Sequence, residues 1–282
     1  LSAWDLQKVT HAYGTNGIIT EVEMPLTAAY DWIDVLVGFD GYMDAVRFAD
    51  ALAHENGLLV KEIAPIAAPI PETYFSRHKQ YVRPGQSVVV TMVAPHAMEA
   101  FTAFVARSRG EIVSRADTAE SLKGLPAAFE LTWNHTTLRA LKVDPSITYL
   151  QVAYPGPDHV ARVEAMTKLF GDEVPGHLEF IRFSGRIQCS GLPLVRFTTK
   201  ERLEEIIRIH EDHGCPVFNP HRYTLEEGGM KRTDTVQLAF KGETDPKGLL
   251  NPGKMIAWEN PHFDFSAGKT YLFPGLADTV GA

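Results

Sequence analysis

The densest chemistry in the chain lies between Asn219 and Gly229, in the stretch Asn-Pro-His-Arg-Tyr-Thr-Leu-Glu-Glu-Gly-Gly, where His221, Arg222, Tyr223, Glu226 and Glu227 share one segment. Taking a proton from a bound molecule needs a base, a task for His221 or Tyr223, and a cation such as Arg222 can orient a carboxylate. The same residues also make an ordinary solvated loop with an internal Arg–Glu pair. A second motif is His11-Ala-Tyr-Gly-Thr-Asn-Gly-Ile-Ile-Thr-Glu-Val22. Gly14 and Gly17 permit positive φ, which folds the backbone so that its amides face one way. Such a row binds an anion or a sugar hydroxyl, and Thr15 and Asn16 add side-chain partners. A plain hairpin turn has the same signature. The third motif is Thr244-Asp-Pro-Lys-Gly-Leu-Leu-Asn-Pro-Gly-Lys254. Its prolines fix φ and its glycines allow reversals, giving a stiff turn that can hold Asn251 and Lys254 beside an anion. His210 and His213 have the spacing of a metal pair on a helix, but His210 continues an apolar stripe, so no metal site is assigned.

The elements that must position these groups read as α+β. Ile18, Thr20, Val22 and Met24 alternate as a strand stopped by Pro25. From Trp32 to Ser114 the pattern is strand, helix, strand, strand, helix, strand, interrupted by a Pro-rich loop over Ala64–Gly85. This is the order of a βαββαβ, or ferredoxin-like, unit, and it recurs between Thr148 and Phe218. Thr198 with Glu201 reads as a capping box for the last helix of the second half. A helical insert over Thr118–Lys142 separates the halves, with Phe129, Trp133, Leu138 and Leu141 as its apolar side. Trp133 suits the core better than a substrate cavity. The expected fold is therefore a duplicated ferredoxin-like antiparallel sheet with flanking helices. The expected divisions are a first segment 1–26, a middle domain 27–240 and a returning segment 241–282, with Pro261–Ala282 irregular.

Taken together, the two Gly-containing motifs are more specific than either alone. Gly-Thr-Asn-Gly-Ile-Ile-Thr-Glu-Val resembles the closing segment of the FAD-binding domain in the FAD-linked oxidases typified by vanillyl-alcohol oxidase. Asp-Pro-Lys-Gly-Leu-Leu-Asn-Pro-Gly-Lys resembles the signature with which such chains return to the flavin. In that family a cap domain built on an antiparallel sheet lies between the two. The resemblance implies that 1–26 is a remnant of an FAD-binding domain and 27–240 the cap. It also implies that Gly14, Thr15, Asn16, Gly17 and Ile18 touch the nucleotide part of FAD, with Asn251 and Lys254 toward the flavin. It implies an FAD-dependent oxidoreductase that oxidises a small alcohol or hydroxy acid by hydride transfer, with His221, Arg222, Tyr223 and Glu226 as catalytic residues. The family's upstream pyrophosphate loop is not in this sequence. The Gly-Glu-His-Gly stretch of hydroxy-acid members is also missing, its nearest stand-in being Leu225-Glu-Glu-Gly-Gly229, and this argues against lactate or glycolate. The competing class is a non-catalytic ligand- or metal-binding module on a duplicated ferredoxin-like fold.

Bulk properties narrow the partners. With 282 residues and 45% hydrophobic content the chain is long enough for one large domain or two smaller ones. A net charge of −8 argues against nucleic acid or an anionic membrane surface as partner and leaves a small-molecule substrate. Only Cys189 and Cys215 are present, which suits a reduced, cytoplasmic protein. The opening at Leu1 is read as that of a fragment. Its expected consequences are FAD belonging to the full-length parent rather than to this chain, and a homodimer, or else poor order near the start, where an apolar face would be left uncovered.

Overall fold

In the computed structural model of the protein, residues 1–183, 185–266, 271–273 and 275 are described. They divide into two compact units, one made of Leu1–Thr27 with Pro216–Ala282 and the other of Ala28–Cys215. The first break falls between Thr27 and Ala28, beside the expected division after residue 26. The second falls at 215/216, so residues 216–240, expected with the middle domain, cluster instead with the terminal segments.

The Ala28–Cys215 unit is mixed α and antiparallel β. It opens with β1 (Ile33–Phe39), α1 (Tyr42–His54), β2 (Val60–Ile66), α2 (Ile70–Tyr74), β3 (Ser87–Val93), α3 (Met98–Ala106) and β4 (Glu111–Ala116). The four strands lie in the order β2-β3-β1-β4 with antiparallel neighbours. β1 and β3 are buried throughout, which is why they read as continuous Val/Ile runs rather than as alternating ones. The Pro-rich stretch is not one long loop. Its start extends β2 to Ile66, and Pro71 sits at the entry to α2, where a missing N–H costs nothing. Ile70 and Phe75 bury fully there.

After α4 (Asn134–Val143) come β5 (Ile147–Tyr149), β6 (Gln151–Tyr154), α5 (His159–Phe170), β7 (Leu178–Phe183), β8 (Arg186–Gly191), β9 (Leu194–Arg196) and α6 (Lys200–Asp212). β6, β8 and β7 lie side by side in that order, and β5 pairs with β9. Thr199, one residue beyond the expected cap, accepts the amide hydrogen of Arg202 at 3.1 Å. His210, within α6, is buried, with Nδ1 on the carbonyl of Ile206 at 2.8 Å and its ring stacked on Phe170. It belongs to the core. Cys189 and Cys215 are both free thiols.

The insert departs from expectation in two ways. Only Ala128–Glu130 and α4 are helical within it, and its faces are reversed. Phe129, Trp133, Leu138 and Leu141 are exposed, while Leu131, Thr136, Thr137 and Ala140 are buried. Small side chains let α4 approach the neighbouring elements closely, and residue size outweighed hydropathy in choosing the buried face. No helix among the described residues is long and apolar enough to cross a membrane.

The first unit opens on a 3-10 helix, Ala3–Lys8. It continues with α7 (Leu225–Gly228), α8 (Thr235–Thr244) and α9 (Ile256–Glu259) around a small core of Leu225, Met255 and Ala257. The expected strand over Ile18–Met24 is not formed. Residues 17–32 carry no regular structure, and Ile18 and Met24 are exposed. Alternation reports which face a strand would bury, but a strand forms only where a neighbouring backbone pairs with it.

Candidate functional site

The three motifs converge in the Leu1–Thr27/Pro216–Ala282 unit, and a lysine that belongs to none of the candidate residues joins them. Lys241, on the last turn of α8, is 2% exposed. Its ammonium donates to the carbonyl of Thr15 at 2.7 Å, to the carbonyl of Leu250 at 3.3 Å and to the carboxylate of Asp245. Asp245 in turn accepts the amide hydrogens of Leu249 at 2.9 Å and Leu250 at 2.8 Å. The ammonium beside it and these amides hold the Asp245 carboxyl down at about 2. One buried ion pair thus closes the 244–254 turn on one side and grips the Gly14–Gly17 turn on the other. The i,i+4 spacing of Lys241 and Asp245 was visible in the sequence, but nothing in it marked the pair as buried.

The Gly14–Gly17 turn is built from the inside. The Thr15 hydroxyl donates to the carbonyl of Ala12 at 2.6 Å, and Asn16 Nδ2 donates to the carbonyl of Lys8 at 2.8 Å. Both side chains are buried. Asn251 Nδ2 donates to the carbonyl of Tyr13. Gly14 sits at φ +67°, where a Cβ would lie 2.8 Å from Asn251 Nδ2. Gly14→Ala therefore combines a left-handed Ala with a steric clash. We expect a stability loss of about 1–3 kcal/mol by denaturant titration. Asn251→Ala in the same chain should relieve only the clash, and an unchanged midpoint for Gly14→Ala would contradict this geometry.

The 219–229 segment sorts its residues into two sets. Glu226 is buried, and its carboxylate accepts the amide hydrogens of Ile256 at 3.0 Å and Ala257 at 3.1 Å. It caps α9 and positions the chain that carries Lys254. Thr224 caps α7 by accepting from Glu227 N at 3.3 Å. His221 and Tyr223 are exposed and Arg222 is half-buried, the His221 amide being fixed by Asn219 Oδ1 at 3.0 Å. The Lys254 ammonium stands 3.3 Å from the centroid of the Tyr223 ring, and the Lys254 carbonyl accepts from Leu225 N at 2.9 Å. The candidate side chains that remain exposed or half-exposed are therefore His221, Arg222, Tyr223 and Lys254, drawn from two motifs. Tyr271, outside every motif, joins this neighbourhood. Burial raises its phenol pKa, and the Glu226 carboxylate adds to the rise.

Tested against a flavin nucleotide, the residues divide. The side chains of Thr15, Asn16 and Asn251 are engaged within the fold. The outer edge suits a nucleotide better. The backbone beyond Gly17 has no strand partner among the described residues, and a Cβ at Gly17 would meet nothing within 4 Å. Ile18 is exposed there, and Lys254 supplies a cation.

No protein-family model and no curated protein matches the chain. Among solved structures it is similar to alkyldihydroxyacetonephosphate synthase in a P212121 crystal form. The match has a TM-score of 0.51 and 12% identity, and covers 86% of this chain and 48% of that one. The same synthase in a P1 form gives a TM-score of 0.49 and 13% identity, with 85% and 47% covered. The chain spans about half the length of the structures it matches. At such identity the likeness is one of fold, a mixed α and antiparallel β architecture shared with a longer synthase.

Proposed function

We propose that this chain is the substrate-side part of an FAD-dependent oxidoreductase of the FAD-linked oxidase type, acting on a small alcohol or hydroxy acid. The observation that carries the proposal is the convergence of two motifs from opposite ends of the chain, joined directly through Asn251–Tyr13, 238 residues apart, and through Lys241, which donates to Thr15 and Leu250. The resemblance that names the family requires these two segments to meet. The fold likeness to a longer synthase is consistent with a mixed α and antiparallel β substrate-side unit. On this reading Ala28–Cys215 corresponds to the cap. Its β7-β8-β6 order repeats β2-β3-β1, which supports two βαββαβ halves.

The backbone of Gly17 and Ile18, with Lys254, would hold the cofactor, and Gly14, Thr15, Asn16 and Asn251 shape that edge from within. Bound flavin supplies the hydride acceptor. The chain's residues do the rest. Arg222 orients the substrate's carboxylate or polar end. His221 takes the hydroxyl proton, Tyr223 packs beneath Lys254, and Glu226 fixes the position of the Lys254 turn.

The test is a visible spectrum of the full-length protein followed by anaerobic reduction. We expect bound flavin, and a reduction rate lowered about 10- to 100-fold in Arg222→Ala, the value of one charge-assisted hydrogen bond. His221→Ala should slow reduction without changing stability. A full-length protein with no flavin spectrum, or reduction indifferent to both substitutions, sinks the proposal.

A further inference from the structure

The Ala28–Cys215 unit has a second feature that the oxidoreductase reading does not use. Where α1 faces the end of α3 there is an open pocket of about 510 Å³. Its lining includes three aromatic rings, Phe39, Phe48 and Phe104, and three guanidinium groups, Arg47, Arg107 and Arg109. Phe39 and Phe48 are buried and the arginines exposed, so the rings form the floor and the guanidinium groups the rim. The rings pack on one another at 5.2 Å (Phe39–Phe48) and 5.4 Å (Phe48–Phe104) between centroids, giving a continuous aromatic surface. Asp44, Arg47 and Phe48 share one face of α1 by their i, i+3, i+4 spacing.

Charge at the rim is unbalanced. Asp44 is the one carboxylate lining the cavity, and it holds Arg47 at 3.6 Å and Arg109 at 3.5 Å, both long contacts. Glu164 reaches Arg47 at 3.5 Å but is held by Lys168 at 2.8 Å. Arg107 makes no ion pair among the described residues and lies over the Phe104 ring at 5.4 Å. In a chain of net charge −8, three guanidinium groups around one apolar floor stand out. Complementing the α3 dipole accounts for Arg107 at its C-cap. It does not account for Arg47 from another helix. Nor does it account for Arg109, whose neighbour Gly110 passes so close to Phe39 that a Cβ there would lie 2.5 Å from the ring.

We propose that this cavity binds a small amphipathic anion, a phosphate or carboxylate on an aromatic or aliphatic body. The body covers the phenylalanine floor, and the anionic head takes paired hydrogen bonds from Arg107 and Arg109, with Arg47 behind them. Guanidinium groups match the planar, two-pronged geometry of such heads. The volume is that of a small-molecule site rather than of a peptide groove.

Isothermal titration with 1-naphthyl phosphate, 1-naphthol and inorganic phosphate at low ionic strength tests both halves of the site. The naphthyl phosphate should bind about tenfold or more tighter than either fragment. Arg107→Gln/Arg109→Gln should remove that advantage while leaving the thermal midpoint unchanged, both side chains being exposed. Phe104→Ala should weaken naphthyl phosphate but not inorganic phosphate. Sedimentation with phosphatidylcholine vesicles containing phosphatidic acid distinguishes the source of the head group. Vesicle binding lost in the double arginine variant assigns a lipid, and binding of the soluble probe alone assigns a free metabolite. Absence of naphthyl phosphate binding, equal binding by the double variant, or occlusion of the cavity by a concentration-dependent dimer overturns the proposal.

Discussion

Lys241→Met should destabilise the protein by about 3–5 kcal/mol, the usual cost of removing one partner from a buried ion pair. The substitution keeps the length of the side chain but deletes the ammonium. It leaves the carbonyls of Thr15 and Leu250 without their donor and the Asp245 carboxylate without its counter-charge. Denaturant titration followed by the fluorescence of Trp258, whose ring lies 5.5 Å from the ammonium, reads the change directly. Adding Asp245→Asn should recover part of the loss, because the amide oxygen still accepts from Leu249 or Leu250 while the unpaired charge is gone. A loss below about 1 kcal/mol for Lys241→Met would remove the pair from its central place in the unit. The same pair has an acid signature. Asp245 is held at about 2 in the folded chain against 3.8 ordinarily. Its contribution is complete above pH 4 and disappears as pH falls from about 4 to about 2.

Lys231 should make stability rise with pH in the alkaline range. The residue is 1% exposed, and burial lowers its pKa from 10.5 to about 8, with Asp234 opposing the shift. Two carbonyls, of Gln7 and Thr10, accept from its ammonium at 2.5 Å and keep it charged at neutral pH. Between pH 8 and 10.5 the unfolded chain therefore binds the proton that the folded chain has released, and unfolding becomes harder as pH increases. The displacement corresponds to about 3 kcal/mol across that window. The measurement is the difference between wild-type and Lys231→Met stability from pH 7 to 10.5, which cancels the titration of other groups. Wild type should gain on the variant throughout, and parallel curves would show that Lys231 does not titrate in the window. His11 reports the same environment. Burial lowers its pKa, Lys231 lowers it further, and its ring stacks on Phe273 at 4.7 Å.

These two lysines show where reading the chain alone stopped. Hydropathy and turn chemistry located β1, β3 and the helices of the sheet-bearing unit, because fully buried strands are runs of Val and Ile and helix ends carry caps. Ser87–Val93 is such a run. The Gly14–Gly17 and Asp245–Lys254 turns were also legible, since only glycine, asparagine and proline supply their backbone angles. A lysine in a loop or a helix reads as solvent-exposed, however, and both Lys231 and Lys241 are interior. What makes them interior is the approach of residues 7–15 from more than two hundred positions away, which no local pattern encodes.

The composition and spacing of residues by themselves determined the α+β class, most of the strand and helix succession between Trp32 and Phe218, and the identity of the three motif segments. Those follow from local sterics and from the period at which apolar side chains recur, both properties of short stretches of chain. Which polar groups face outward was decided by the tertiary structure. Glu226, Thr15, Asn16 and Asn251 looked as available for chemistry as His221, Arg222, Tyr223 and Lys254. In the fold Glu226, Thr15 and Asn16 are buried and engaged by backbone amides and carbonyls, and the exposed Asn251 donates to the Tyr13 carbonyl, because a turn must satisfy its own polar groups before it can offer any to a ligand.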